Sequence, residues 1–356
     1  MKGPRRPSLF RMHPGRSIIT IGNFDGAHLG HAALLRRCFN IASQTHGLVK
    51  PRIVAISFDP HPASILRPDQ TLPAKLTTFE RRAALLRQLG ADEVVKLSPT
   101  ADLLAKSAES FIAEVSRDYA PLAFVEGSDF HFGHKRGGNV RVLADLGSRL
   151  GFAVEVVPSV DVPLTDDAIV PASSTIARWL ITQGRVRDAA LVLGRHHELV
   201  GTVVQGDRRG RTIQFPTANL AAENLIPADG VYAALAILPD GREWPAAVNV
   251  GTRPTFQAHE RRVEAHLIGA QSSDLAVTSE YGWPLRLRLV GWLRDQVRFD
   301  SISRLVEQLK RDCARALTIT SQADASSVRF AVKTLSTPTR ATTNHADPLR
   351  QKADNA

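Results

Sequence analysis

The chain has 356 residues, enough for about two domains of ordinary size, and its 43% hydrophobic and 22% charged content excludes wholesale disorder. Two cysteines, Cys38 and Cys313, exclude a disulfide framework or a four-cysteine zinc site and fit a reducing, cytoplasmic setting. Lysine and arginine number 45 against 35 acidic residues, and the formal charge of +10 favours anionic partners, either nucleic acid or small phosphorylated ligands.

Residues 1–16 are basic but lack the apolar core of a signal peptide, so they read as a flexible leader. No stretch approaches the roughly 18 apolar residues of a membrane span. Ser17–Ile21 is β-branched and stops at Gly22, as a strand does before a turn. From His31 the apolar residues Leu34, Leu35, Cys38 and Ile41 keep a helical period. Residues 53–57 form a second strand, and Thr77 with Glu80 has the spacing of a capping box opening a helix that stops at Gly90. Strands at 93–97, 122–125 and 153–157 alternate with helical stretches near 108–118 and 140–150. That alternation predicts an α/β domain, a doubly wound parallel sheet spanning 17–184.

After about residue 185 the texture changes. Apolar segments at 199–204, 230–237, 246–250, 263–267 and 285–290 follow one another with turns and little helix between. They predict a small antiparallel β-barrel over 185–318, closed by a helix with Ile302, Leu305, Val306, Leu309 and Cys313 on one stripe. Residues 319–356 carry no sustained period and read as a disordered tail.

Two regions carry chemistry. Gly22-Asn-Phe-Asp-Gly-Ala-His-Leu-Gly-His31 joins the first strand to the first helix. Its glycines allow close approach of backbone to ligand, and free N–H groups at a helix start favour an anion. His28 and His31, across Gly30, can direct two imidazoles at one phosphate; a plain glycine turn with surface histidines is the alternative for the motif alone. The second region, Gly206 to Asn219, joins glycines and arginines to Phe-Pro-Thr-Ala-Asn. It suits a flap over a triphosphate, or else a basic hairpin before a strand.

On these motifs the chain resembles the bacterial bifunctional riboflavin kinase/FMN adenylyltransferases, and its first half resembles the His-x-Gly-His nucleotidyltransferases. Further matches are Phe58-Asp-Pro-His-Pro62, Gly127-Ser-Asp-Phe-His-Phe-Gly133, Ser173-Ser-Thr-Ile-Ala-Arg178, Pro216-Thr-Ala-Asn219 and Asn249-Val-Gly-Thr-Arg253. The resemblance spans about residues 17–317. It implies that riboflavin is phosphorylated by ATP to FMN and that FMN is then adenylylated to FAD, releasing pyrophosphate.

For adenylyl transfer, the resemblance implies that His28 and His31 meet the α/β-phosphates while Ser173, Ser174, Thr175 and Arg178 hold the leaving pyrophosphate. Gly22, Asn23, Phe24 and Asp25 would shape the ATP pocket, and His61 and Asp129 the flavin/nucleotide loops. Phosphate is already a nucleophile, so positioning and charge stabilisation suffice. Without the resemblance, Ser173–Thr175 reads as an N-cap, a role compatible with phosphate binding at the same helix start, and for His61 a rigid turn and a site residue are equal readings.

For the kinase, Gly206, Gly210, Arg211, Thr217 and Asn219 are implied at ATP and Mg²⁺, with Thr217 and Asn219 as oxygen donors to the metal. Asn249 and Arg253 belong to the flavin loop. Glu264 is implied as general base; strand alternation turns it and His266 away from Val263, Ala265 and Leu267. Its alternative is a solvent-facing carboxylate.

Departures from the family pattern are Gln214 where glycine is usual, Gln296 where an acidic residue is common, and an altered segment over 268–280. They motivate a second reading, an adenylyltransferase with a weakened kinase barrel. A nucleic-acid binder is the rival from another class, but no aromatic-interleaved basic stripe supports it. The expected partners are therefore riboflavin, FMN and ATP, with no nucleic acid or membrane, for a monomer or weak oligomer.

Overall fold

The computed structural model describes residues 15–46, 49–206, 213, 215–254, 259–271 and 279–325. The predicted leader lies almost wholly outside this range, as do Gly210, Arg211, Gln214, most of the altered 268–280 segment and residues 326–356.

The first half contains β1 (Ser17–Gly22), β2 (Arg52–Phe58), β3 (Glu93–Leu97), β4 (Pro121–Gly127), β5 (His131–Phe132), β6 (Gly138–Asn139) and β7 (Ala153–Val157). Strands β3-β2-β1-β4-β7 form one parallel sheet in that order. Its helices are α1 (Leu29–Gln44), α2 (Ala63–Leu66), α3 (Phe79–Gln88), α4 (Ala101–Leu104), α5 (Ala108–Tyr119) and α6 (Val140–Leu150). Alternation along the strands fills both faces. Ile18, Ile53, Ala55 and Val125 pack with Leu35 and Cys38 of α1 and Leu85 and Leu86 of α3. Ile19, Val54, Ile56 and Phe124 pack with Ile112 and Val115 of α5 and Leu143 of α6. This is the doubly wound arrangement expected, and β1, β2 and β4 all end at the same edge, where such sheets hold ligands.

One start signal is displaced by a residue. The helix expected to be capped by Thr77 is capped by Thr78, which accepts from the Arg81 N–H, because the Thr77 hydroxyl is committed to Asp25.

A short hairpin, β8 (Asp161–Pro163) with β9 (Ile169–Pro171), leads to α7 (Ser174–Thr182) and α8 (Val186–Leu193). The barrel follows: β10 (Glu198–Val204), β11 (Ala218–Ala222), β12 (Gly230–Ile237), β13 (Glu243–Pro254), β14 (His259–Leu267) and β15 (Pro284–Arg294). It closes in the order β10-β11-β14-β13-β12-β15, every neighbouring pair antiparallel. Inward residues such as Leu199, Val248, Ala265 and Leu287 fill it. Strand β12 is buried along its whole length, one face inside the barrel and the other under the last helix, α9 (Ile302–Ala325), which explains its unbroken apolar run.

Helix α9 corrects the predicted tail, whose first seven residues, 319–325, are helical. The small residues Ala316, Thr320 and Ala323 make the buried stripe, and the Thr318 and Thr320 hydroxyls bond back to carbonyls four residues earlier. Small side chains and self-satisfied hydroxyls hide such a helix from a hydrophobicity pattern. Arg294 of β15 ties α9 down by donating to both carboxylate oxygens of Asp312, which is fully buried. Asp312→Ala would leave the guanidinium without its counter-charge. It is expected to destabilise the barrel by about 3 kcal/mol in denaturant titration, the range for breaking a buried pair.

Candidate active sites

The first site forms where β1 gives way to α1. Phe24, Gly26 and Ala27 all have positive φ, at 49°, 81° and 40°. A Cβ at Gly26 would stand 2.7 Å from Leu76 Cδ1, so this tight turn requires glycine there. The turn delivers Asp25 into the interior, where its carboxylate accepts from the Leu76 and Thr77 N–H groups, the Thr77 hydroxyl and Arg178 Nη2 at 2.5 Å. Ser174 Oγ donates to the Asp25 carbonyl at 2.7 Å, and Arg178 Nε donates to the Ala74 carbonyl. Residues 149 and 153 positions apart in sequence are thereby brought together.

His28 is the N-cap residue of α1, and its ring stacks on His31 with centroids 3.6 Å apart; Phe24 meets His31 edge-on. A Cβ at Gly30 would lie 3.0 Å from His28 Cε1, so that glycine makes room for the pair. His28 Nδ1, His31 Nδ1 and Asn23 Oδ1 are buried with no hydrogen-bond partner. Burial first, then the Arg195 guanidinium, holds His28 down at about 3. Burial, then His28, Arg82 and Arg195, keeps His31 well below the ordinary imidazole value. Both rings are therefore neutral at pH 7 in a cationic setting, with unsatisfied nitrogens beside a helix N-terminus.

Ser173 caps α7 by accepting from the Ile176 N–H, so the capping alternative holds for it; Thr175 is exposed. Gly22 ends β1 with the Phe24 ring against it. His61 lies exposed on the loop after β2, close enough to Arg178 and Asp25 to feel their charge. Asp129 is exposed on the loop after β4, its carbonyl 2.7 Å from His131 Nδ1. Two residues escaped the sequence reading. Buried Arg82 donates from one nitrogen to Asn23 O, Ser57 Oγ and Phe58 O, joining the ends of β1 and β2. Glu126, fully buried at the end of β4, accepts from the Ile21 N–H, and burial raises its pKa well above the carboxylate range. A lone Arg in a helix and a lone Glu in a strand give no motif to find.

The second site lies outside the barrel, under α9. A cavity of about 600 Å³ is lined by Thr217, Asn249, Glu264, His266, Gln296 and Phe299, among others. Register puts Glu264 directly between Asn219 on β11 and Asn249 on β13, so three polar side chains share one row. Val263, Ala265 and Leu267 point inward, as expected from alternation. Gly206 lies against Asn219, where a Cβ would meet the amide at 2.0 Å. Thr217 is exposed, and the Pro216 carbonyl lies 2.8 Å from His266 Nδ1. Gln296 packs on Gly251 and donates to Asn249 Oδ1 at 2.8 Å; an ionised acid at 296 could not donate that bond. The Arg253 side chain lies outside the described residues, though its backbone pairs β13 with β14.

A parallel sheet with paired histidines at the ends of its strands, joined to a barrel with a carboxylate in an outer cavity, is the arrangement expected of a two-site transferase. Residues 11–170 match the family model for FAD synthetase, and residues 193–320 that for riboflavin kinase. The bifunctional riboflavin kinase/FMN adenylyltransferase of Escherichia coli (strain K12) is 31% identical over 83% of this chain and 90% of that protein. Those of Bacillus subtilis (strain 168) and Pseudomonas fluorescens are 29% and 33% identical over 87% and 84% of this chain and 94% and 91% of theirs. A solved structure titled as a macrolide-efflux protein from Streptococcus pneumoniae superposes with a TM-score of 0.74. It is 28% identical and spans 86% of this chain and 95% of its own. The chain belongs to the bifunctional riboflavin kinase/FMN adenylyltransferase family and carries both activities, so the reading with a weakened barrel gives way.

The neutral histidines give the fold a pH dependence. Between pH 6.5 and about 3, His28 is protonated in the unfolded chain and not in the folded one. Its contribution is complete above pH 6.5 and is lost as pH falls. Denaturant titration should find a decrease of about 2 kcal/mol between pH 7 and pH 5 from this group. His28→Asn should flatten that slope.

Proposed function

We propose that the site at the sheet edge performs adenylyl transfer and the outer barrel cavity performs riboflavin phosphorylation, each with the residues named below. The stacked imidazoles with unpartnered buried nitrogens support the first assignment most directly. A phosphate oxygen of FMN attacks the α-phosphorus of ATP, and the bond to pyrophosphate breaks as the new P–O bond forms. His28 and His31 donate N–H bonds to the α/β-phosphate oxygens, where charge develops. Arg178 uses Nε and Nη2 on Ala74 and Asp25 and offers Nη1 to the leaving pyrophosphate, with Thr175 beside it. Asn23 and Phe24 line the nucleotide, while His61 and Asp129 border the flavin side. Asp25 holds Arg178 rather than touching substrate.

In the barrel, Glu264 takes the proton of the ribityl 5′-hydroxyl as that oxygen attacks the γ-phosphorus, and ADP leaves. Gly206, with Gly210 and Arg211 of the same loop, covers the triphosphate, and Asn249 and Arg253 border the flavin. Thr217 and Asn219 are the hard oxygen donors magnesium takes; among the described residues no group of three or more His, Cys, Asp or Glu offers another metal site. Bound there, Mg²⁺ would offset phosphate charge. We assign residues 17–184 to the adenylyltransferase unit and 185–325 to the kinase unit.

Cys38 and Cys313 are free thiols, which suits a reducing cytoplasm, and we favour a monomer or weak oligomer. Among the described residues no helix is long and apolar enough to cross a membrane.

Chromatography of reactions with riboflavin or FMN, ATP and Mg²⁺ tests the assignment. Glu264→Gln is expected to abolish FMN formation and leave FAD formation from FMN intact. His31→Ala should lower FAD formation by about two to three orders of magnitude, typical for losing one charge-stabilising donor, with FMN formation unchanged. Parallel loss of both activities in either variant would contradict two separate sites.

A further inference from the structure

Residues 74–77 form a strap over the first site. Facing inward, the Leu76 and Thr77 N–H groups donate to Asp25, and the Ala74 carbonyl accepts from Arg178. The outward carbonyls of Lys75 and Leu76 are taken by the other half of the molecule. Between β11 and β12, Leu225 N–H donates to Lys75 O at 2.8 Å, and Asn224 Nδ2 donates to Leu76 O at 2.9 Å.

Asn224 is buried and fully used. Its second N–H donates to Glu198 O, and its Oδ1 accepts from the Val200 N–H, both on β10. One amide therefore fastens the strap to a barrel strand, a task needing two donors and an acceptor on a single short side chain. Leu225 buries its side chain with Leu76 and with Ala177, Leu180 and Ile181 of α7, the helix that carries Arg178. Ala228 N–H donates to Ile181 O at the end of that helix. Residues 224–228 of the barrel thus reach both elements that hold Arg178.

We propose that Asn224, a residue of the kinase barrel, is a positioning residue for adenylyl transfer: through Leu76 it sets the Asp25–Arg178 pair in the distant site. The proposal rests on Arg178 acting in adenylyl transfer. Asn224 touches no substrate in either reaction. Its effect is expected in the turnover of one activity alone, because small displacements of a charge-stabilising group lower rates steeply.

The full-length chain provides the test. Asn224→Asp keeps the acceptor for Val200 and turns a second oxygen toward the Leu76 and Glu198 carbonyls. It should lower kcat for FAD formation about ten- to a hundredfold while FMN formation stays within about twofold. Kinase activity reports that the barrel is folded. Asn224→Ala, which removes the donor without adding charge, should follow. Placed on Arg178→Ala, Asn224→Asp should bring no further loss, the non-additivity of residues acting through one another. Full multiplicative loss in that double variant, equal loss of both activities, or undiminished FAD formation in both position-224 variants would overturn the proposal. Undiminished FAD formation in Arg178→Ala alone would overturn the site assignment and the positioning role with it, and is a separate result.

Discussion

The buried carboxylate of Asp25 is the constraint on which the adenylyl-transfer half depends. It ends the turn after the first strand, receives four donors, and binds together three stretches of chain distant in sequence. A buried carboxylate is tolerable only when its lone pairs are filled and a counter-charge is at hand, and here both come from residues 76–77 and from α7. The same network leaves the Nδ1 atoms of the neighbouring imidazoles without a partner. Saturated and unsatisfied polar groups thus lie within a few residues of each other: Asp25 is saturated, and His28, His31 and Asn23 are not.

The barrel solves a different problem. Its interior is packed with apolar side chains, and on the outer wall alternate side chains of β11, β14 and β13 put Asn219, Glu264 and Asn249 in one row. Helix α9 then roofs that wall, and Ala233 and Ala247 beneath it let the helix come close. A single helix serves as lid support for a cavity and as cover for β12, which explains why its small residues matter as much as its large ones.

How much of this could be read from residues alone follows from the range of the interactions. The places of His28 and His31 at a helix start were legible because strand, glycine turn and helix start are local features, and the outward direction of Glu264 because strand alternation needs only its neighbours. The role of Asp25 as an anchor was not legible, since its partners lie about fifty and one hundred and fifty positions away. Thr77 shows the same limit in miniature: local spacing made it a cap, but a distant carboxylate claimed its hydroxyl and passed the cap to Thr78. The end of α9 was hidden because alanine and threonine bury little apolar surface. Asn224 sits in a connection with no motif, and only the packing of the two halves gives it meaning.

The sheets also differ in how they guard their margins. Among the described residues the barrel strands close on themselves, whereas the five-stranded sheet ends in β3 on one side and β7 on the other. Those margins carry Glu93 and Lys96, paired with Arg52 and Asp59 at the two ends of β2, and Glu155, paired with Arg37 of α1. At these positions a foreign strand meets fixed charges, a feature that discourages edge-to-edge pairing, while Val156 keeps part of the β7 margin apolar and half-exposed.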